Sequence, residues 1–169
     1  RRGQLRSSVR WIWFDRFEEF VPGERAVGVK NYTLAEDYLH DHFPGFPVVP
    51  ASLMIEGMAQ TAGILVGHAR NFTEKVILGK IKQAVFHQVV RPGQHVRFDA
   101  RIVQVTPQAA ITEGTIWRDG EVIGQVDLVF SHIDQNMSGL EFPEENFVFT
   151  ESFMALLRTY THGSAERIA

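Results

Sequence analysis

The sequence predicts an α+β fold in which one antiparallel sheet of about five or six strands wraps a single long central helix. Three observations predict it. Turn-forming dipeptides punctuate the chain at Pro22-Gly23, Pro92-Gly93 and Asp119-Gly120. The runs beside them alternate apolar and polar residues, as at Val96, Phe98 and Ala100 or Val126, Leu128 and Phe130, the period of a half-buried strand. One segment, residues 51–70, has the length and apolar content of a buried helix.

Residues 9–20 and 25–33 flank Pro22-Gly23 and read as the first two strands. The helix follows at 51–70, with Pro50 at its start, where a missing N–H does no harm. Leu53, Met54, Ile55, Met58, Ala59, Ala62, Ile64, Leu65 and Val66 cover nearly its whole circumference. Such a helix is buried on most sides. Gly57, Gly63 and Gly67 each lower helix propensity by about 1 kcal/mol against Ala, which makes sense if other backbone approaches closely there.

After the helix, 75–90 and 94–106 flank Pro92-Gly93, and 109–118 and 121–133 flank Asp119-Gly120. Asp-Gly at a two-residue turn is a strong hairpin signal. Past Ile133 the pattern breaks: 134–145 reads as a loop and 151–160 as a short amphipathic helix with Phe153, Met154, Leu156 and Leu157. The chain thus divides into a domain at 1–133 and a C-terminal extension at 134–169. The extension either packs inertly or edges the substrate site. Inert packing is the favoured expectation, because amphipathic surface helices are ordinary.

A chain of 169 residues holds one domain, or one with an appendage. With 44% hydrophobic and 22% charged residues, it has the balance of a globular protein. There is no cysteine, which excludes a disulfide framework and a thiolate metal site and fits a reducing compartment. The net charge of −3 gives no general reason to expect nucleic-acid binding. No stretch approaches the roughly 20 apolar residues of a membrane span. The basic start, Arg1-Arg2-Gly3-Gln4-Leu5-Arg6, is not followed by an apolar signal region. The expected location is cytoplasmic.

Glu56 is the only ionisable residue between Ala51 and Gly67. A carboxylate in a greasy helix requires a partner, a raised pKa, or both. Four-residue spacing puts Ser52, Glu56 and Gln60 on one face. A structural carboxylate held from a neighbouring strand and a catalytic one both satisfy this pattern. Just upstream, Asp41-His42-Phe43-Pro44-Gly45-Phe46-Pro47-Val48-Val49-Pro50 carries three prolines and a glycine in ten residues. It must be a stiff, non-helical loop that holds His42 in place. His40 and His42 also form an H-x-H pair, but no third metal ligand stands out by spacing.

The run His42-Phe-Pro-Gly-Phe-Pro-Val-Val-Pro-Ala-Ser-Leu-Met-Ile-Glu56-Gly-Met-Ala-Gln60 resembles the signature of the bacterial 3-hydroxyacyl-[acyl-carrier-protein] dehydratases of type II fatty acid synthesis. Trp13-Phe14-Asp15-Arg16 and Val29-Lys30-Asn31 resemble that family's first two strands. Leu78-Gly79-Lys80-Ile81 and Arg91-Pro92-Gly93 resemble the strands after the helix. The resemblance covers residues 10–133. It implies a hot-dog fold and, as catalytic pair, His42 and Glu56, with His42 of one subunit meeting Glu56 of the other in a homodimer, or in a hexamer built as a trimer of dimers. It groups Gly45, Ala51 and Gln60 as substrate- or oxyanion-binding residues.

The chemistry suits these residue types. Dehydration removes a proton from C2 and protonates the hydroxyl leaving C3, work for an imidazole base and a carboxyl acid. Backbone N–H groups at the helix start, near Ala51, suit the developing enolate oxygen. No cofactor and no metal are expected. The substrate is carried on a phosphopantetheine thioester of acyl carrier protein, or of CoA, and Lys75, Lys80, Lys82 and Arg91 are the basic residues available to meet an acidic carrier.

Two departures stand out. The family glycine after the second Pro is Ala51 here, harmless at a first helical turn and strained if φ is positive. The tail from Asp134 has no counterpart in the family ending. The competing functions are a hot-dog thioesterase, against which the whole His-Phe-Pro-Gly loop stands, and a non-catalytic acyl-binding subunit, against which the retained His42 and Glu56 stand.

Overall fold

The computed structural model describes residues 11–133 and 141–160. In chain order its elements are β1 (Arg16–Val21), β2 (Arg25–Asn31), α1 (Tyr38–Asp41), α2 (Ala51–His68), β3 (Val76–Phe86), β4 (His95–Val105), β5 (Ala109–Arg118), β6 (Glu121–His132) and α3 (Glu151–Tyr160). The strands form one six-stranded sheet in the order β1-β2-β4-β5-β6-β3, with every neighbouring pair antiparallel. The β5–β6 hairpin closes through Asp119 and Gly120 at φ 50° and 89°, the left-handed pair that a two-residue turn demands.

The buried face of the sheet packs on α2. Met54, Met58, Ala62, Leu65 and Val66 of the helix share one core with Phe98, Ile116, Val126, Leu128 and Phe130 of the sheet. Burial of each large apolar side chain contributes roughly 1.5–3 kcal/mol. The helix glycines serve this packing, though chiefly by admitting aromatic rings rather than other backbone. A Cβ at Gly57 would lie 2.6 Å from the Phe98 ring, and one at Gly67 would collide with the ring of Phe149.

Several elements depart from the sequence reading, with β2 ending at Asn31 rather than 33 and β3 at Phe86 rather than 90. Strand β1 begins at Arg16, not within 9–15; residues 9 and 10 lie outside the described part. Asp15 still donates its N–H to Val29 O at 2.6 Å, but residues 11–13 turn toward α2, where Gln60 accepts the Trp13 N–H at 2.9 Å and donates to the Trp11 carbonyl at 3.0 Å. Helix α2 ends at His68, not Arg70, since Asn71 and Phe72 turn left-handed and the Phe72 N–H closes on the Gly67 carbonyl at 2.8 Å. The short helix α1, too brief to show a period, was not foreseen.

Strand β3 is an edge strand and is exposed along most of its length. The described part of the C-terminal extension is tied down at Asn146. Its amide donates to the carbonyls of Phe72 (3.1 Å) and Glu74 (3.3 Å), while its oxygen accepts the N–H groups of Val148 and Phe149. Thr150 Oγ1 then accepts the Phe153 N–H at 3.2 Å and caps α3. Leu157 is buried in the main core.

Candidate active site

His42 follows α1, which is anchored by fully buried Leu39 and by Tyr38. The Tyr38 hydroxyl donates to Glu36 at 2.6 Å, and its ring stands edge-on to Trp13, centroids 5.5 Å apart. Burial first, and Glu36 second, push the Tyr38 pKa far up, so this hydroxyl remains a donor. His42 itself is held at three points. Its N–H donates to Tyr38 O at 3.1 Å and its carbonyl accepts the Val48 N–H at 2.9 Å. Its ring Nδ1 lies 2.7 Å from Val48 O. A carbonyl can only accept, so Nδ1 carries the proton and Nε2 of the neutral ring keeps its lone pair.

The loop between is a closed turn. Phe43 and Phe46 exchange both backbone hydrogen bonds, at 3.0 and 2.9 Å, around Pro44 and Gly45. Gly45 sits at φ +75°, the left-handed position after proline that a type II turn reserves for glycine. The Val49 N–H donates to Val90 O at 2.8 Å and fastens the loop to the β3–β4 connection.

Helix α2 starts at Ala51, preceded by Pro50 at φ −56° and ψ 132°. Ala51 is not among the described residues with positive φ, so no left-handed strain attends the replacement of glycine. The first backbone N–H groups bonded within the helix are those of Leu53 and Met54, both to Pro50 O. The Ala51 N–H belongs to the unsatisfied first turn of a helix, on an exposed residue.

One turn and a half along, Glu56 finds the partners its position requires. Its Oε1 accepts from Trp11 Nε1 at 3.0 Å and from Gln60 Nε2 at 2.9 Å. Oε2 takes no hydrogen bond from the described residues. Gln60 has its amide group engaged at both ends, by Trp11 and Glu56 on the nitrogen and by Trp13 on the oxygen. Both N–H bonds of its amide thus go to protein acceptors, one of them the Glu56 carboxylate. Trp11, 45 residues upstream of Glu56, carried no sequence signal beyond its aromatic neighbours.

Glu56 heads a cleft of about 470 Å³ and is the only ionisable residue among the described residues lining it. The floor is one face of α2, from Glu56 through Ala59 and Gly63 to Ile64; the walls come from Val76, Leu78 and Phe130 of the sheet. Phe147, Val148, Phe149 and Phe153 of the extension complete it. Of the two expectations for the extension, packing alone or edging the substrate site, its described part lines the same cleft as Glu56.

His42 does not line this cleft. Among the described residues, no hydrogen bond joins the two expected catalytic residues within one chain. The H-x-H pair does not converge either, because the His40 ring bonds Leu34 O at 2.8 Å while His42 bonds Val48 O. Of the basic residues expected to meet a carrier, Lys75 is buried at 8% exposure and is unsuited to that role. Lys80 and Lys82 are exposed on β3, and the Arg91 guanidinium covers the Phe46 ring at 4.3 Å.

The family model of the FabA-like domain matches residues 11–127. The 3-hydroxyacyl-[acyl-carrier-protein] dehydratase FabZ of Clostridium acetobutylicum is 38% identical over 117 residues, covering 69% of this chain and 83% of that protein. FabZ of Ligilactobacillus salivarius is 35% identical over 120 residues, covering 70% and 86%. Among solved structures, a Streptococcus mutans protein bound to acetyl CoA matches with a TM-score of 0.59 at 11% identity, over 77% of this chain and 96% of its own. A conserved Pseudomonas aeruginosa protein matches at 0.58 and 14% identity, over 70% and 87%. At such identities the structural matches speak to the fold, which is the hot-dog fold.

Proposed function

The chain belongs to the 3-hydroxyacyl-[acyl-carrier-protein] dehydratase family, and from that premise we propose that His42 and Glu56, each from a different subunit, form its acid/base pair. The enzyme dehydrates a 3-hydroxyacyl thioester to the trans-2-enoyl thioester in fatty acid biosynthesis. The observation that carries the proposal is the cleft itself: an apolar groove whose one ionisable group, Glu56, is clamped at its head. Such a groove suits an acyl tail with its reacting carbons at the carboxyl.

In this mechanism His42 Nε2 takes the C2 proton. Glu56, protonated at Oε2, gives its proton to the C3 hydroxyl, and the C3–O bond breaks to release water. One proton transferred from His42 to Glu56 resets the site. Trp11 and Gln60 hold Oε1, leaving Oε2 to the substrate. The Ala51 N–H donates to the thioester oxygen as negative charge develops there, where preorganised donors stabilise most; Gly45 shapes the turn that presents His42. The chemistry uses no metal or cofactor beyond the substrate's own phosphopantetheine arm.

A homodimer completes the site. Edge strand β3 exposes Leu78, Ile81 and Val85, and a long apolar edge is a surface that proteins cover. Pairing through it would let the His42 loop of one subunit approach the Glu56 cleft of the other. Trimers of such dimers are compatible with the same contact. No helix of the described residues is long and apolar enough to cross a membrane, and we assign the enzyme to the cytoplasm, acting on acyl carrier protein.

The test is turnover of 3-hydroxyacyl carrier-protein thioesters followed by the absorbance of the conjugated enoyl product. Enoyl thioester formation is the expected result. Release of free thiol without dehydration would make the protein a thioesterase, and binding without turnover a non-catalytic acyl-binding subunit; either overturns the reading.

A further inference from the structure

The segment Phe147 to Phe153 lies beyond the part of the chain that the FabA-like domain covers, yet it supplies one wall of the Glu56 cleft. We propose that this segment closes the far end of the acyl site and sets the longest acyl tail the enzyme accepts. The proposal rests on the dehydratase reading above and adds a specificity element to it.

The floor of the cleft follows one face of α2, where Ala59 and Gly63 are small enough to leave a groove. From Glu56 to Ile64 that face runs about 12 Å at the helical rise of 1.5 Å per residue. An extended tail of roughly ten carbons occupies that length, taking about 1.2 Å per bond from the reach of an extended chain. The next position on the face is Gly67, one turn beyond Gly63. There the space a side chain would take is filled by the Phe149 ring. Phe149 packs on Phe72 at 5.0 Å and on Phe153 at 6.3 Å between ring centroids. A tail extending along α2 therefore meets a wall of aromatic rings.

That wall is fixed in position. Asn146 ties its base to the backbone after α2 through both ends of its amide. The Thr150 cap orients α3, and Leu157 roots α3 in the core. A rigid apolar wall discriminates between tails one methylene apart by about ten- to two-hundred-fold.

The experiment measures kcat/KM of the full-length chain on 3-hydroxyacyl thioesters of increasing tail length. In the wild type the profile should break sharply once the tail exceeds roughly ten carbons beyond C3. In Phe153→Ala the break should move to longer tails, with the long-to-short ratio of kcat/KM rising about tenfold or more; in Phe153→Trp it should move to shorter ones. Circular dichroism and melting check folding, and Phe153→Leu is read in the same way if Phe153→Ala does not fold. A folded variant with the wild-type ratio, or a wild type with no break, overturns the proposal while leaving the dehydratase intact. A wild type that dehydrates no tail of any length overturns the dehydratase reading instead.

Discussion

Gln60 lies one helical turn beyond Glu56 and donates its amide N–H to the glutamate's Oε1 at 2.9 Å. The same amide takes the Trp13 N–H at 2.9 Å, so the carboxylate is positioned by the N-terminal segment as well as by its own helix. Gln60→Ala should therefore lower kcat about tenfold with a smaller effect on KM, the pattern of a lost positioning contact. It should also destabilise the fold by about 0.5–1.5 kcal/mol, the net worth of a typical hydrogen bond, since the groups it releases are exposed or half-buried. Steady-state kinetics and a denaturant melt check both; an unchanged kcat would mean that Glu56 needs no clamp.

His42→Ala and Glu56→Gln should each reduce dehydration by about 10²-fold or more. If the site spans two subunits, unfolding the two variants together and refolding them should restore about a quarter of wild-type activity. A statistical mixture makes half heterodimers, each with one intact composite site. A mixture as inactive as its components would place both residues in one chain's site or in none.

Ala51 can be tested through its N–H. Ala51→Pro removes that donor at the first helical position, where proline is tolerated, and Pro50, already at ψ 132°, has the extended backbone a following proline requires. Ala51→Gly keeps the N–H and should destabilise the helix by only about 0.5–1 kcal/mol. Relative to Ala51→Gly, the proline variant should lose about 10²–10³ in kcat, as for an oxyanion donor. Equal activity in the two would exclude that role.

Ile81 is 44% exposed on edge strand β3, so a charge there does little to a lone subunit. Ile81→Asp together with Val85→Asp should shift the protein to monomer, read by sedimentation, and abolish turnover with it. An active monomer would show that the site is complete within one chain.

Much of this was legible locally. The strand runs from Val96 to Phe130 and the two-residue turn at Asp119-Gly120 are encoded by period and by φ preference, which depend only on near neighbours. The loop from His42 to Pro50 was legible as a stiff element for the same reason, since its prolines restrict the chain wherever it folds. The long signature joining His42 to Glu56 gave the family, and a greasy helix with one carboxylate announced a group that must be partnered.

What the sequence by itself determined, then, is the order of elements, the buried helix and the residue types at the site. Tertiary structure alone decided which atoms meet. Trp11 reaches Glu56 across 45 residues because Gln60 holds residues 11–13 against the helix. Lys75 is withdrawn from the surface, and Phe149, just ahead of the amphipathic helix, fills the space beside Gly67 and lines the cleft. Periodicity records which face of an element is apolar; it does not record the neighbour that covers that face, because this depends on how the sheet wraps the helix and where the chain returns.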